Sequence, residues 1–170
     1  MHRRAVIKLL GSSAIGGSTI LSGCARLNTS GSSTTVRMGT KGHQSFFDPV
    51  GLLVDPGETV TFEMESGNHS ATAYHEQYSL AKETRLPKGV EPFDSGVLID
   101  RGDTFEHTFD TKGTYDYYCI PHKTMGMIAR IVVGEPGGPA EGSMPPDGKV
   151  PTSQRIIDNG SVGYEQFDTK

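Results

Sequence analysis

The chain has 170 residues, 16 Lys or Arg against 20 Asp or Glu, and a net charge of −4. That length holds one ordinary domain with a single core, and an acidic surface without a basic cluster excludes nucleic-acid binding. Cys24 and Cys119 are the only cysteines, so at most one disulfide can form and a disulfide-stapled scaffold is excluded.

Residues 1–23 read as an export signal outside the fold. They combine a basic start (Arg3, Arg4, Lys8), an apolar middle and small residues ahead of Cys24. The 13 residues Leu9–Leu21, several of them Gly or Ser, are too few and too polar to span a bilayer. "RRAVIK" resembles a twin-arginine signal, and "LSGC" resembles a lipobox, whose Cys receives lipid and becomes the N-terminus after cleavage. On this reading Cys24 is lipidated and anchors the protein to the extracytoplasmic face of the cytoplasmic membrane. Cleavage removes three basic residues and no acidic ones, taking the net charge from −4 to about −7. Cys119 is then a free thiol in an oxidising compartment, where metal binding is the expected use.

Residues 24–33 are small and polar, as a flexible tether is. Strand-like runs follow: "TTVRMGT", "VGLLV", "ETVTFEME", "HSATAYH", "TFEHTF", "TYDYYC" and "MIARIVV". Turn signals at Asp55-Pro56-Gly57, Arg101-Gly102-Asp103 and Lys112-Gly113 separate them. In "TVTFEME" apolar Val60, Phe62 and Met64 alternate with polar residues, which predicts one buried and one wet face. About seven to eight short strands without a long amphipathic helix predict an all-β antiparallel sandwich or barrel over residues 34–134. Glu76–Ser95 interrupts the rhythm as a short helix or a long loop. Residues 135–170 form a Pro/Gly-rich extension: a linker, then a few apolar residues able to dock.

The chemistry is concentrated in "CIPHKTMGM", where Cys119, His122, Met125 and Met127 fall within nine residues. Thiolate, imidazole and thioether are soft to intermediate donors, which suit copper or zinc rather than calcium or magnesium. Two imidazoles, one thiolate and a distant Met make up the ligand set of a blue-copper site. Cys119 and His122 are separated by at most roughly 10 Å of chain, so one turn brings both to a single ion. Pro121 cannot continue a central strand and predicts departure from the sheet just after Cys119. Gly126 permits the sharp return that carries Met127 back.

"GTYDYYCIPHKTMGMIARIVVG" resembles the C-terminal ligand loop of the cupredoxins, with greatest likeness to pseudoazurins, plastocyanins and halocyanins. Gly113, Tyr115, Tyr117, Cys119, Pro121, His122, Gly126 and Met127 each fill a place in that pattern. Upstream, "FDPVGLLVDPGETVTF" is similar to the family's segment before its first ligand, so the resemblance covers about Thr35–Gly134. It implies a Greek-key β-sandwich or barrel holding one type 1 copper on His69, Cys119, His122 and Met127. His69 follows "MESGN", where the family's first ligand falls. His75 would lie about 20 Å farther along the same strand and reads as a partly exposed strand histidine. His107, between alternating apolar neighbours, is expected to face solvent, Met125 to be surface filler, and Tyr115 and Tyr117 to be core. The family's frequent Asn after the first His is Ser70 here, so a bond between the two ligand loops is expected to be altered or lost.

The resulting expectation is a monomeric one-electron carrier, not an enzyme. It would exchange electrons with redox partner proteins of a respiratory or photosynthetic-type chain, with His122 as the port. A copper chaperone or sensor on the same fold is the alternative. A multicopper oxidase would need a second metal cluster, which the remaining histidines do not form.

Overall fold

The computed structural model describes residues 34–167; the leader, the tether and Cys24 lie outside the described residues. Nine strands are present among them: β1 (Thr35–Lys41), β2 (Gln44–Asp48), β3 (Gly51–Val54), β4 (Glu58–Met64), β5 (Thr72–Ala73), β6 (Thr104–Phe109), β7 (Gly113–Tyr118), β8 (Ile128–Val133) and β9 (Ser161–Val162). They form two sheets, ordered β2-β1-β4-β6 and β5-β7-β8-β3-β9. β1 runs parallel to β4 and β3 parallel to β8; the remaining pairs are antiparallel. The architecture is a two-sheet sandwich, not a closed barrel, with two strands (β2 and β9) absent from the sequence reading.

β4 follows its alternation: Val60, Phe62 and Met64 are buried, whereas Thr61 and Glu63 are half-exposed. Val60 and Phe62, together with Val36, Met38, Phe47, Phe109, Tyr115, Tyr117, Ala129 and Ile131, fill the space between the sheets. Phe62 meets Tyr117 edge-on with ring centroids 5.4 Å apart, so β4 and β7 interlock at mid-core. Tyr115 and Tyr117 are core, as expected.

β7 and β8 depart from the one-face pattern, because every residue in both is buried. Their outer face carries Asp116 and Arg130, and a charged pair can be buried only when paired and hydrogen-bonded. Arg130 Nε and Arg85 Nε each donate to the Asp116 carboxylate at 2.8 Å. Both guanidinium groups also donate to Ala140 O, at 3.1 Å from Arg85 and 2.9 Å from Arg130, and Arg85 reaches Ser143 O as well. Glu141 accepts from Thr114 and Ser153 hydroxyls, at 2.5 Å each. The network therefore fastens two segments over the second sheet: residues 76–95, which carry Arg85, and residues 138–153.

Residues 135–152 are accordingly no free linker. The chain continues into helix α1 (Ser153–Asn159), capped by the Thr152 side chain accepting from Arg155 N, and then into β9 beside β3. Gly51 of β3 lies so close to α1 that a Cβ there would stand 2.8 Å from Ile156. All described residues fall in one compact unit. No helix among the described residues is long and apolar enough to cross a membrane.

Candidate metal centre

β7 ends at Tyr118, and Cys119 leads into a 3-10 turn, Ile120–Met125, with Pro121 in its first turn. The turn stops at Gly126, whose φ of 81° is left-handed and whose N–H reaches the carbonyls of His122 and Lys123. Only glycine adopts this conformation without strain. Met127 N then donates to His122 O at 3.2 Å, and Cys119 N to Met127 O at 3.0 Å. Met127, buried, is thereby tied through its backbone to both residues.

The first histidine arrives from the other sheet connection. His69 exchanges backbone hydrogen bonds with Leu98, N to O at 3.1 Å and O from N at 2.8 Å. Residues 93–98, the end of the long interruption, run beside residues 69–73 and brace them: Ser95 N donates to Ala71 O and Ala73 N to Phe93 O. The interruption is a loop without a helix, and "HSATAYH" contributes only the two residues of β5 to a sheet.

Side chains converge where these loops meet. Cys119 Sγ lies 3.5 Å from His69 Nδ1 and 3.4 Å from His122 Nδ1. The three ligand atoms lie within 4.8 Å of one another, and no other such cluster of His, Cys, Asp or Glu occurs among the described residues. Metal–nitrogen and metal–thiolate bonds of about 2.0 and 2.3 Å, splayed at slightly over about 100°, separate N and S donors by about 3.5 Å. The geometry fits one small, borderline-soft ion held by all three donors.

Burial prepares these donors differently. It holds the His69 imidazole down at about 4, with the neighbouring His122 ring adding to the effect, and lowers His122 as well. Both rings are therefore neutral near pH 7, with lone pairs available. Burial pushes the Cys119 thiol up to about 11, so a metal must displace its proton.

The lone pair of His69 is aimed from behind. Its Nε2 lies 3.0 Å from Thr40 Oγ1. With Nε2–H donating to that hydroxyl, the Nδ1 lone pair faces the sulfur. Thr40 in turn is tied to the loop through Ser66, whose Oγ accepts from Thr40 N at 2.9 Å. Gly67 makes room: with φ of 91°, its Cβ would stand 2.7 Å from Thr40 Oγ1 and 2.9 Å from His69 Nε2. Nothing in the sequence reading singled out Thr40, Ser66 or Gly67. Their partners are distant in the chain, and the only local signal was the turn-forming "SGN".

At Ser70 the bond between the loops is altered rather than lost. The Ser70 N–H points to Cys119 Sγ at 3.5 Å, and the Ser70 Oγ accepts from Ile120 N at 2.8 Å. The two ligand loops are thus tied together by serine, directly beside the thiol. Thr72 Oγ1 lies 2.9 Å from Ser70 Oγ and donates to Asp94 at 2.8 Å, so the hydroxyl chain ends on a carboxylate.

The other histidines stay apart. His75 is half-buried in a loop, not a strand, with Nδ1 accepting from Gln77 N at 3.2 Å. His107 does not face solvent as expected. It shares the inner face of β6 and packs against Phe93 and Phe109, with ring centroids 4.6 and 4.7 Å away. Phe105 and Phe109, two residues to either side, set that face. Met125 is 66% exposed, in keeping with a surface position.

Residues 30–134, most of the chain, match the profile of the family described as "Copper binding proteins, plastocyanin/azurin family". The chain belongs to this family. As a cupredoxin its cofactor is type 1 copper, and the two-imidazole, one-thiolate cluster with a nearby Met fits that metal. Among relatives, a halocyanin from Natronomonas pharaonis is 34% identical over 89 residues, 51% of this chain and 47% of that one. The chloroplastic plastocyanin of Hordeum vulgare is 30% identical over 114 residues, 65% of this chain and 69% of that one. The match thus spans about half the length of the halocyanin. Pseudoazurin from Methylobacterium extorquens AM1 superimposes with a TM-score of 0.50 at 24% identity, covering 75% of this chain and 95% of that one. That likeness shows the same fold.

Proposed function

We propose that this cupredoxin is a one-electron carrier whose single copper is held by His69, Cys119 and His122, with Met127 as a weak axial ligand. The observation that carries the reading is the convergence of two neutral imidazole nitrogens on one buried thiol within 3.5 Å, in a chain of a copper-binding family. Bound there, copper would supply a Cu(I)/Cu(II) couple and the strong visible absorption of a thiolate bond. The protein's own share is to hold the donors still. Thr40 fixes the His69 ring, Ser70 ties the Cys119 loop to the His69 loop, and the Met127 backbone closes the turn. His69 and Cys119 are fully buried, leaving no open side for a substrate, which favours a carrier over an enzyme.

His122 is only half-buried, between exposed Pro121 and Met125, which supports it as the edge where redox partner proteins exchange electrons. The order of basic start, apolar run and "LSGC" supports a lipid anchor at Cys24 and a place at the extracytoplasmic membrane face. The halocyanin and plastocyanin relatives support the carrier role over the chaperone alternative.

The test is Cys119→Ser in copper-loaded protein. It should abolish the strong visible band while Cys24→Ala leaves it intact. A Cys119→Ser spectrum like that of the wild type would sink the site. Reversible one-electron voltammetry of the wild type is expected; loss of metal on each reduction would favour the chaperone.

A further inference from the structure

One cation of the ligand loop is taken out of water by a segment beyond the family match. Lys123 follows His122 and is only 9% exposed, although a lysine is almost never buried unless paired. Its Nζ lies 5.3 Å from the centroids of both the Tyr74 and Tyr118 rings and 2.5 Å from Asp147 Oδ2. The same oxygen accepts from the Tyr74 hydroxyl at 2.7 Å. The contact continues on either side of the carboxylate. Val150 is buried with Tyr74, Ala81, Tyr118 and Ile128. Gly148 lies so near the loop that a Cβ there would stand 3.4 Å from Gly126 Cα.

This clamp bears on the candidate ligands through the backbone. Lys123 O accepts from Gly126 N at 3.0 Å, and the next amide, Met127 N, donates to His122 O at 3.2 Å. Releasing the Lys123 side chain therefore frees the turn that presents His122 and Met127. It also leaves an ammonium without its carboxylate one residue from His122, and an uncompensated positive charge favours the reduced, less charged metal.

We propose that Asp147 is a positioning residue for the copper loop: through Lys123 it holds the His122–Met127 turn rigid and neutralises the charge beside it. The proposal rests on the reading of His122 and Met127 as ligands. It makes the C-terminal extension part of the redox site.

The experiment uses the full chain, metal-free and copper-loaded, with Asp147→Asn, Lys123→Met, the double variant and Asp147→Glu. Amide hydrogen exchange is read at Gly126 and Met127, and the reduction potential by voltammetry. Asp147→Asn should raise the potential and speed exchange at both amides by about tenfold or more, the scale of one lost charge-assisted hydrogen bond. The double variant should bring the potential back toward wild type, since no unpaired charge remains, and Asp147→Glu should restore part of the protection. Removing the exposed Lys112–Glu135 pair by Glu135→Gln should move neither readout. If Asp147→Asn melts earlier but keeps both potential and local exchange, Asp147 is only structural and the proposal fails. Equal potential shifts in the single and double variants would also overturn it, because Lys123 would not be the mediator. Should the wild type lack a blue band, the copper reading fails, and exchange in metal-free protein still decides the clamp.

Discussion

Replacing Ser70 by Ala isolates the link between the two ligand loops. The single proton of Thr72 Oγ1 goes to Asp94, so Ser70 must donate to Thr72 and use its lone pair for Ile120 N–H, 2.8 Å away. Ser70→Ala removes both bonds in a fully buried position and leaves the Ile120 amide without an acceptor. An unsatisfied group of this kind costs about 1–3 kcal/mol, and we take about 2 kcal/mol. Unfolding entropy of about 2.1 cal/mol/K per residue gives about 0.28 kcal/mol/K for the described domain, so Tm should fall by about 7 °C. Calorimetry of metal-free protein measures this without interference from copper affinity. The Ser70 N–H facing Cys119 Sγ survives the substitution, so copper-loaded Ser70→Ala should keep its visible band. A fall in Tm below about 1 °C would refute the reasoning, showing that the hydroxyl chain carries no net stability.

The thioethers separate by potential. Met127→Leu should keep the blue colour and raise the potential, since a lost donor disfavours Cu(II), while Met125→Leu should change it little; voltammetry giving the reverse would reassign the axial ligand. Metal-free stability should depend on pH at both ends. His69, at about 4 when folded against 6.5, contributes stability that is present above about 6.5 and lost as pH falls toward about 4, up to roughly 3 kcal/mol. Cys119, raised from 9.0 to about 11, contributes stability that is present below about 9 and lost as pH rises toward 11. Urea unfolding across the range checks this, and an acid limb unchanged in His69→Gln would count against it. Asp116→Ala should strand the buried Arg130 guanidinium and leave Arg85 with Glu83 alone, costing about 3–5 kcal/mol, with faster proteolysis of residues 138–153; a loss below about 1 kcal/mol would mean the network is not holding the extension.

The ligand loop and the all-β class were legible from the chain alone because their causes are local. Cys119, Pro121, His122 and Gly126 lie within one turn, where the absent proline N–H and the left-handed glycine set the backbone directly. Alternation in β4 likewise needs only its own residues. Legibility stopped where a residue's role belongs to a partner far away in sequence. Thr40 meets His69 across 29 residues, so its hydroxyl could not be recognised as part of the site, and Ser70, marked only as standing where the family has Asn, gave no sign of its bond to Ile120 across 50 residues. His107 pointed inward for the same reason: Phe93, from the long loop, supplies the ring against which it packs. Nor could "GEPGGPAEGSMPPDGKVP" reveal that it packs, since its Pro- and Gly-rich composition lacks periodicity. It is held instead by its backbone carbonyls Ala140 O and Ser143 O and the carboxylate of Asp147, which accept from Arg85, Arg130 and Lys123. Carbonyl oxygens are common to every residue type, so the sequence singled out the candidate donors of the site, and only the tertiary structure decided what holds them in place.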